Sequence, residues 1–274
     1  MQAGATVLVP VDGSEPSERI LSLIDRLPHR DLKVVLLQVI PRAPTSAGKG
    51  AAFDRVFAYL EGLERRLRDR GVQAVHMATV GDPAAQILDA TEVVRPAFVA
   101  MATHGRGGLA RTLRGSVAEA VLERCPVPLL LANPAALPLD PASGFARILV
   151  PLAVEPASAR VLPYVATLAA AHQARVVLLH VGNAERPASV GEALLAPHRA
   201  RLLEDGVADV EVRAVVGDPA QAIEAEQQRV AADLLVLGSH SRRQGATRWL
   251  GTVSQAVLRR VGCPLLLIRV ATPA

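Results

Sequence analysis

An internal repeat constrains this 274-residue chain more than any other feature. Val34-Val35-Leu36-Leu37-Gln38-Val39 returns 142 residues later as Val176-Val177-Leu178-Leu179-His180-Val181. Val80-Gly81-Asp82-Pro83-Ala84 returns 136 residues later as Val216-Gly217-Asp218-Pro219-Ala220, so the second copy is six residues shorter between these landmarks. The shorter offset then holds: Thr103-His104 matches Ser239-His240, Gly115-Ser116-Val117 matches Gly251-Thr252-Val253, and Pro128 to Leu131 match Pro264 to Leu267. Self-similarity at this period predicts two homologous domains in tandem. Between them Asn133 to Gly144 carry three prolines, which disfavour helix and remove backbone donors. The expected division is an N-terminal domain at 1–133, a Pro-rich linker at 134–144 and a C-terminal domain at 145–274.

Within each copy, short aliphatic runs alternate with helical patterns. In the first copy the strands are expected at Thr6 to Val11, Lys33 to Ile40, Gln73 to Val80, Phe98 to Ala102 and Pro128 to Leu131. Phe53, Val56, Leu60, Leu63 and Leu67 recur at three- and four-residue spacing, the stripe of an amphipathic helix. Near-continuous apolar strands alternating with helices indicate a parallel sheet covered on both faces. The expected fold class is α/β: two tandem, doubly wound, Rossmann-like open sheets of five mainly parallel strands each. In the second copy Pro197 interrupts the corresponding stripe and should start that helix late or kink it.

Composition excludes several classes. The longest apolar runs fall far short of the roughly 18 residues needed to cross a bilayer, and no basic-then-apolar leader opens the chain. A soluble cytoplasmic protein without membrane partners is expected. Thirty Lys and Arg against 26 Asp and Glu give a net charge of +4 spread along the chain. With 3% aromatic residues there is no stacking platform for single strands, so nucleic acid is not implied. Cys125 and Cys263 have no Cys-x-x-Cys or Cys/His spacing and are expected to be buried small hydrophobes, with no metal site.

An open parallel sheet binds ligands beyond the C-terminal ends of its strands, where strand order reverses. Three segments of the first copy arrive there: Pro10 to Ser14, Gln38 to Ile40, and Met101 to Gly108. The last continues to Gly115-Ser116-Val117, where a helix begins. Glycines let backbone N–H groups approach an anion, and a helix N-terminus adds its positive dipole end. A plain alternative competes: Ser116 with Glu119, and Thr252 with Gln255, form capping boxes that need no ligand. Other signatures fail. Gly48-Lys49 lacks the rest of a P-loop, and Gly105-x-Gly107-x-x-Ala110 follows the fourth strand rather than the first. Neither a Gly-x-Ser-x-Gly elbow nor a His-Glu-x-x-His motif is present, and no catalytic residue is assigned. For His104 and His240 no catalytic partner is evident, and packing or a loop hydrogen bond is expected. Asp82 and Asp218, each before Pro, suit helix N-caps.

The order Val-Pro-Val-Asp, Ala-Thr-His-Gly, nine further residues, Gly115-Ser116, a helix and Cys-Pro-Val-Pro-Leu-Leu-Leu resembles the universal stress protein family, whose fold is adenine nucleotide alpha hydrolase-like, and the duplication resembles its tandem subclass. Nucleotide-binding members carry Gly, two residues, Gly, nine residues, Gly, then Ser or Thr. The first copy has Ala102, Gly105, Gly115 and Ser116; the second has Gly238, Ser241, Gly251 and Thr252. The resemblance implies ATP, with or without Mg, or else AMP, ADP or no nucleotide. In the first copy it places Asp12 at the base and ribose, Val39 and Ile40 along the adenine slot, and Met101 and Ala102 at its flank, with Pro10 and His104 counted among the nucleotide-binding residues. Gly105, Arg106, Gly115, Ser116 and Val117 would hold phosphates. The methyl of Ala102 is tolerated if φ there is negative and costs about 1–2 kcal/mol if it is left-handed.

Gly238, Ser241, Gly251, Thr252 and Val253 form a weaker second site, since Ala153 replaces the carboxylate of Asp12. The expectation is therefore an adenine nucleotide bound chiefly in the N-terminal domain, with a regulatory role in stress response. The resemblance also implies that the two fifth strands, Pro128 to Leu131 and Pro264 to Ile268, associate, so that one chain mimics a family dimer; a homodimer of whole chains is compatible with it. The rival readings are an interaction scaffold with vestigial pockets and a slow ATP hydrolase.

Overall fold

The computed structural model describes residues 5–27, 32–41, 49–103, 116–133, 137, 144–183, 188–239 and 251–270, with the backbone alone for residues 49, 51, 52, 116 and 188. The chain divides into two compact units, Met1–Leu137 and Pro138–Ala274.

In the first unit the aliphatic runs become β1 (Thr6–Val11), β2 (Lys33–Ile40), β3 (Gln73–Val80), β4 (Phe98–Ala102) and β5 (Leu129–Ala132). They lie in the order β3-β2-β1-β4-β5, and every pairing within the unit is parallel. The helices are α1 (Glu15–Glu18), α2 (Ile20–Ile24), α3 (Lys49–Arg68), α4 (Pro83–Val94) and α5 (Ser116–Arg124). His76 and Thr79 on β3 are an odd number of residues apart, so their side chains leave opposite faces of the sheet. His76 meets Glu64 of α3, and the Thr79 hydroxyl donates to Gln86 of α4. Helices therefore cover both faces, which is why β1 and β2 read as almost uninterrupted Val and Leu.

The second unit repeats the plan. Its strands are β6 (Arg147–Pro151), β7 (Arg175–Gly182), β8 (Val210–Val216), β9 (Leu234–Ser239) and β10 (Leu265–Arg269), in the order β8-β7-β6-β9-β10, again all parallel within the unit. A 3₁₀ turn at Pro156–Val161 precedes α6 (Leu162–His172), followed by α7 (Ala188–Glu204), α8 (Pro219–Arg229) and α9 (Thr252–Arg260). Helix α7 runs through Pro197, whose missing N–H removes one helical hydrogen bond. Cys125 and Cys263 are buried. No helix among the described residues is long and apolar enough to cross a membrane.

Two expectations shift by one residue. The fifth strands begin at Leu129 and Leu265, not at Pro128 and Pro264. Each proline contributes only its carbonyl, accepting from Val99 N at 3.0 Å and from Leu235 N at 2.9 Å, because its ring nitrogen has no proton to donate. In α9 the N-cap is Gly251, with no side-chain cap, so Thr252 is the first helical residue and makes no capping box with Gln255. Asp82 and Asp218 do cap α4 and α8, accepting from Ala85 N at 2.9 Å and Gln221 N at 3.0 Å, with Pro at the first helical position.

Before each cap, Gly81 and Gly217 adopt φ of +152° and +155°. Their N–H groups donate to the last carbonyls of β2 and β7, Ile40 O at 3.1 Å and Gly182 O at 3.2 Å. A Cβ at Gly217 would meet no atom within 4 Å, so the restriction there is purely backbone. Gly217→Ala is expected to destabilise the second domain by about 1–3 kcal/mol in urea unfolding, and an unchanged midpoint would contradict this assignment.

Glu226 of α8 is 7% exposed and held by Arg229 at 2.8 Å and Arg213 at 3.2 Å. Burial raises its pKa, but the hydrogen bonds and the charges of Arg229 and Arg213 together outweigh it and leave the carboxyl below its ordinary value. A carboxyl held low in the folded state stabilises above its unfolded pKa, and that contribution disappears as pH falls through the folded pKa. Glu226→Gln should therefore destabilise the protein at neutral pH and narrow its gap to wild type in acid; a gap that stays constant with pH would contradict the ion pairing.

Candidate functional site

The pairing pattern opens a crevice at the switch point. Strand β1 stays paired with β2 over its whole length, from Thr6↔Lys33 to Val11↔Gln38. Against β4 it pairs only at Val7↔Phe98 and Leu8↔Val99. Strand β4 meanwhile stays with β5 as far as Ala102↔Ala132, and Thr103 N continues that ladder to Ala132 O at 2.9 Å. The C-terminal halves of β1 and β4 thus follow opposite neighbours, leaving a gap in the ladder where the chain reverses direction across the sheet. Strand β2 also runs two residues past its pairing with β1, since Val39 and Ile40 register only with Thr79 and Val80 of β3.

These facts place Pro10 and Asp12, Val39 and Ile40, and Met101 and Ala102 at the C-terminal ends of three adjacent strands. Met101 and Ile40 are buried and Asp12 is exposed. Ala102 is absent from the residues of positive φ, so its methyl is accommodated without left-handed strain. Ser116 and Val117 open α5. His104, Gly105, Arg106 and Gly115 lie outside the described residues, as do Ser241 and His240 of the second copy.

Asp12 is oriented by its own turn. Its Oδ1 accepts from Ser14 N at 2.9 Å and from the Ser14 hydroxyl, while its N–H donates to Ser17 Oγ at 3.2 Å. Ser14 caps α1, with Ser17 N donating to Ser14 Oγ at 3.3 Å, and the Ser17 hydroxyl returns to Ser14 O at 2.9 Å. The result is a carboxylate fixed at the lip of the crevice by Ser14, on a backbone held by Ser17. The sequence reading named Asp12 but passed over Ser14 and Ser17; Ser14 two residues before Pro16, ahead of a helix, is the N-cap signal that could have found them.

The second domain has the same gap and different contents. Strand β6 pairs with β9 only at Ile148↔Leu234 and Leu149↔Leu235. Ala153 follows Leu152 where the carboxylate would be, and the Ser158 hydroxyl bonds the carbonyls of Ala153 and Glu155, both at 2.8 Å. His180, counterpart of Gln38, is 6% exposed and donates from Nδ1 to Leu152 O at 3.0 Å. Helix α7 lies so close over it that a Cβ on Gly191 would sit 2.9 Å from His180 Cδ2 and 2.7 Å from Ala214 Cβ. Side chains of Val161 and Val270 close on Gly238, 3.3 Å and 3.4 Å from where its Cβ would be. Gly251, Thr252 and Val253 open α9. Among the described residues, no group of three or more His, Cys, Asp or Glu is arranged to hold a metal.

The comparisons agree with this architecture. The profile of the Universal stress protein family matches the chain twice, at residues 5–133 and 144–269. A universal stress protein of Mycobacterium bovis is 30% identical over 185 residues, which are 63% of this chain and 61% of that protein; the same holds for one from Mycobacterium tuberculosis. A universal stress protein structure from Archaeoglobus fulgidus superimposes with a TM-score of 0.80 at 23% identity, over 98% of this chain and 99% of that one. One from Pseudomonas aeruginosa gives 0.69 at 16% identity, over 97% and 94%. The chain belongs to the universal stress protein family and carries the family's domain twice in tandem.

Proposed function

We propose that the first domain binds an adenine nucleotide, ATP or its di- or monophosphate, and that the second domain serves as its structural or regulatory partner. The observation that carries this reading is the parted ladder between β1 and β4 with Asp12 fixed at its lip. A carboxylate oriented by Ser14 suits the vicinal hydroxyls of a ribose. The edge of β2 beyond Gln38, flanked by Val39, Ile40 and Met101, suits a flat apolar base with a polar rim.

The phosphates would extend towards Gly105, Arg106, Gly115 and the start of α5, where the dipole favours negative charge; Mg would arrive with the phosphates. Three charge-assisted amide–phosphate bonds of about 1.5–3 kcal/mol each, with an aliphatic slot, approach the roughly 8 kcal/mol of micromolar affinity after ordering costs. In the second domain Ala153 and His180 argue against the same use. The role in stress regulation, the intrachain pseudo-dimer and a homodimer of chains are part of this reading on family resemblance alone.

Calorimetric titration with ATP should give saturable binding near one nucleotide per chain. Asp12→Ala should weaken it by about tenfold or more, and Gly115→Val should abolish it while the fold survives. Silence up to millimolar ATP would favour the scaffold reading, and turnover clearly above the Gly115→Val control would favour the hydrolase.

A further inference from the structure

The strand order leaves β3 and β8 each with one neighbour, β2 and β7. The free side of such a strand is a row of unpaired N–H and C=O groups, which proteins blunt with charge, proline, a bulge or a covering side chain. Gly81 N donates to Ile40 O of β2, and Gly217 N to Gly182 O of β7. Successive residues of a strand turn these groups to alternate sides, so the even-numbered residues face away from the sheet. On β3 these are Ala74, His76, Ala78 and Val80; on β8 they start at Val210. Strand β8 is blunted. Arg199 of α7 donates from Nε to Val210 O at 2.9 Å, and Glu211 and Arg213 pair with Arg175 at 2.6 Å and Glu226 at 3.2 Å. Strand β3 has none of these devices. Gln73 to Val80 contain no Pro, Lys, Arg, Asp or Glu, and they register with β2 residue by residue, without a bulge. Aligning Leu60 with Leu195 and Gly71 with Gly206 puts Glu64 opposite Arg199. A carboxylate has no proton to give a strand carbonyl, and Glu64 turns to His76 and Arg68 instead.

An apolar ledge lies beside the same edge. Phe53 and Phe57 of α3 stack with ring centroids 6.1 Å apart, and Phe57 meets the His76 ring at 5.7 Å. Phe57 remains 38% exposed, and Val75 and Val80 are exposed as well. The chain has four Phe, and the other two, Phe98 and Phe145, are buried. Exposed aromatic side chains beside an open strand have the composition of an interface. The second domain carries Glu192 opposite Phe57. The ends of β3 differ in charge: Lys33, exposed and in register with Gln73, stands at its start, and the exposed Asp82 follows its end. A two-fold axis through the edge would make two identical strands antiparallel. Residues of the outward set would then exchange N–H and C=O groups with the same set, and the Lys33 end of one copy would meet the Asp82 end of the other.

We propose that the free edge of β3, with Phe57 beside it, is an interface that pairs antiparallel with the same edge of a second copy of this chain. Complementarity of the strand with its own image selects this occupant: the backbone groups match, no charge on the strand opposes itself, and the charges at its two ends attract. The proposal gives the homodimer of chains named above a definite surface, and it is independent of the nucleotide reading.

Sedimentation equilibrium of the full chain should show a reversible dimer at twice the 28.8 kDa chain mass. Ala78→Pro removes one outward N–H, and Phe57→Glu installs the residue type that the second domain carries. Each should weaken the dimer by about tenfold or more while circular dichroism and ATP titration stay as in wild type. Raising the wild-type concentration from about 1 to about 100 μM should slow amide exchange at residues 74, 76, 78 and 80 and leave β8 unchanged. A chain that stays monomeric at about 100 μM overturns the proposal. A dimer that survives both variants, with exchange at β3 independent of concentration, keeps the homodimer and overturns this surface. If Ala78→Pro fails to fold, Phe57→Glu and the exchange measurement decide.

Discussion

Competition between two backbone ladders shapes everything at the functional end of this protein. The ends of β1 and β4 can each follow one neighbour, and β1 follows β2 while β4 follows β5. After two shared residue pairs the strands part, leaving a cleft in an otherwise continuous parallel sheet. The cleft is a property of topology: it recurs between β6 and β9, where the side chains are different. The fold thus supplies two openings, and the residues at each rim decide what they are worth.

The two rims have diverged in a chemically consistent way. In the first domain a carboxylate stands at the lip, held by Ser14, and Glu18 of the turn that follows pairs with Arg66. In the second, Ser158 turns inward to backbone carbonyls, His180 occupies the carbonyl of Leu152 just past β6, and Gly191 admits α7 against that histidine. Ser158 and His180 thus spend their polar groups on backbone carbonyls of their own domain.

Most of the scaffold was legible in the sequence because parallel strands buried on both faces leave unbroken aliphatic runs. The bounds of β1, β2 and β4 follow those runs residue for residue. The fifth strands slipped by one because a proline looks like part of an apolar run yet cannot enter the ladder through its nitrogen. The cap of α9 slipped by one because Gly251 and Thr252 are both acceptable N-caps on paper, and only backbone geometry selects the glycine. Asp82 and Asp218 were readable since acid followed by Pro leaves little choice. At the site, Asp12 could be named from a local motif. Its support could not, because Glu18 and Arg66 are 48 residues apart in sequence and no periodicity links them.

The most direct test of the account is a crystal structure of the full chain grown with ATP. The account places one nucleotide over the parted ends of β1 and β4 in the first domain, ribose hydroxyls on Asp12 and base along Val39 and Ile40, with the second domain's crevice closed by its own side chains. Nucleotide density in the second domain, or in the first domain away from Asp12, would contradict it.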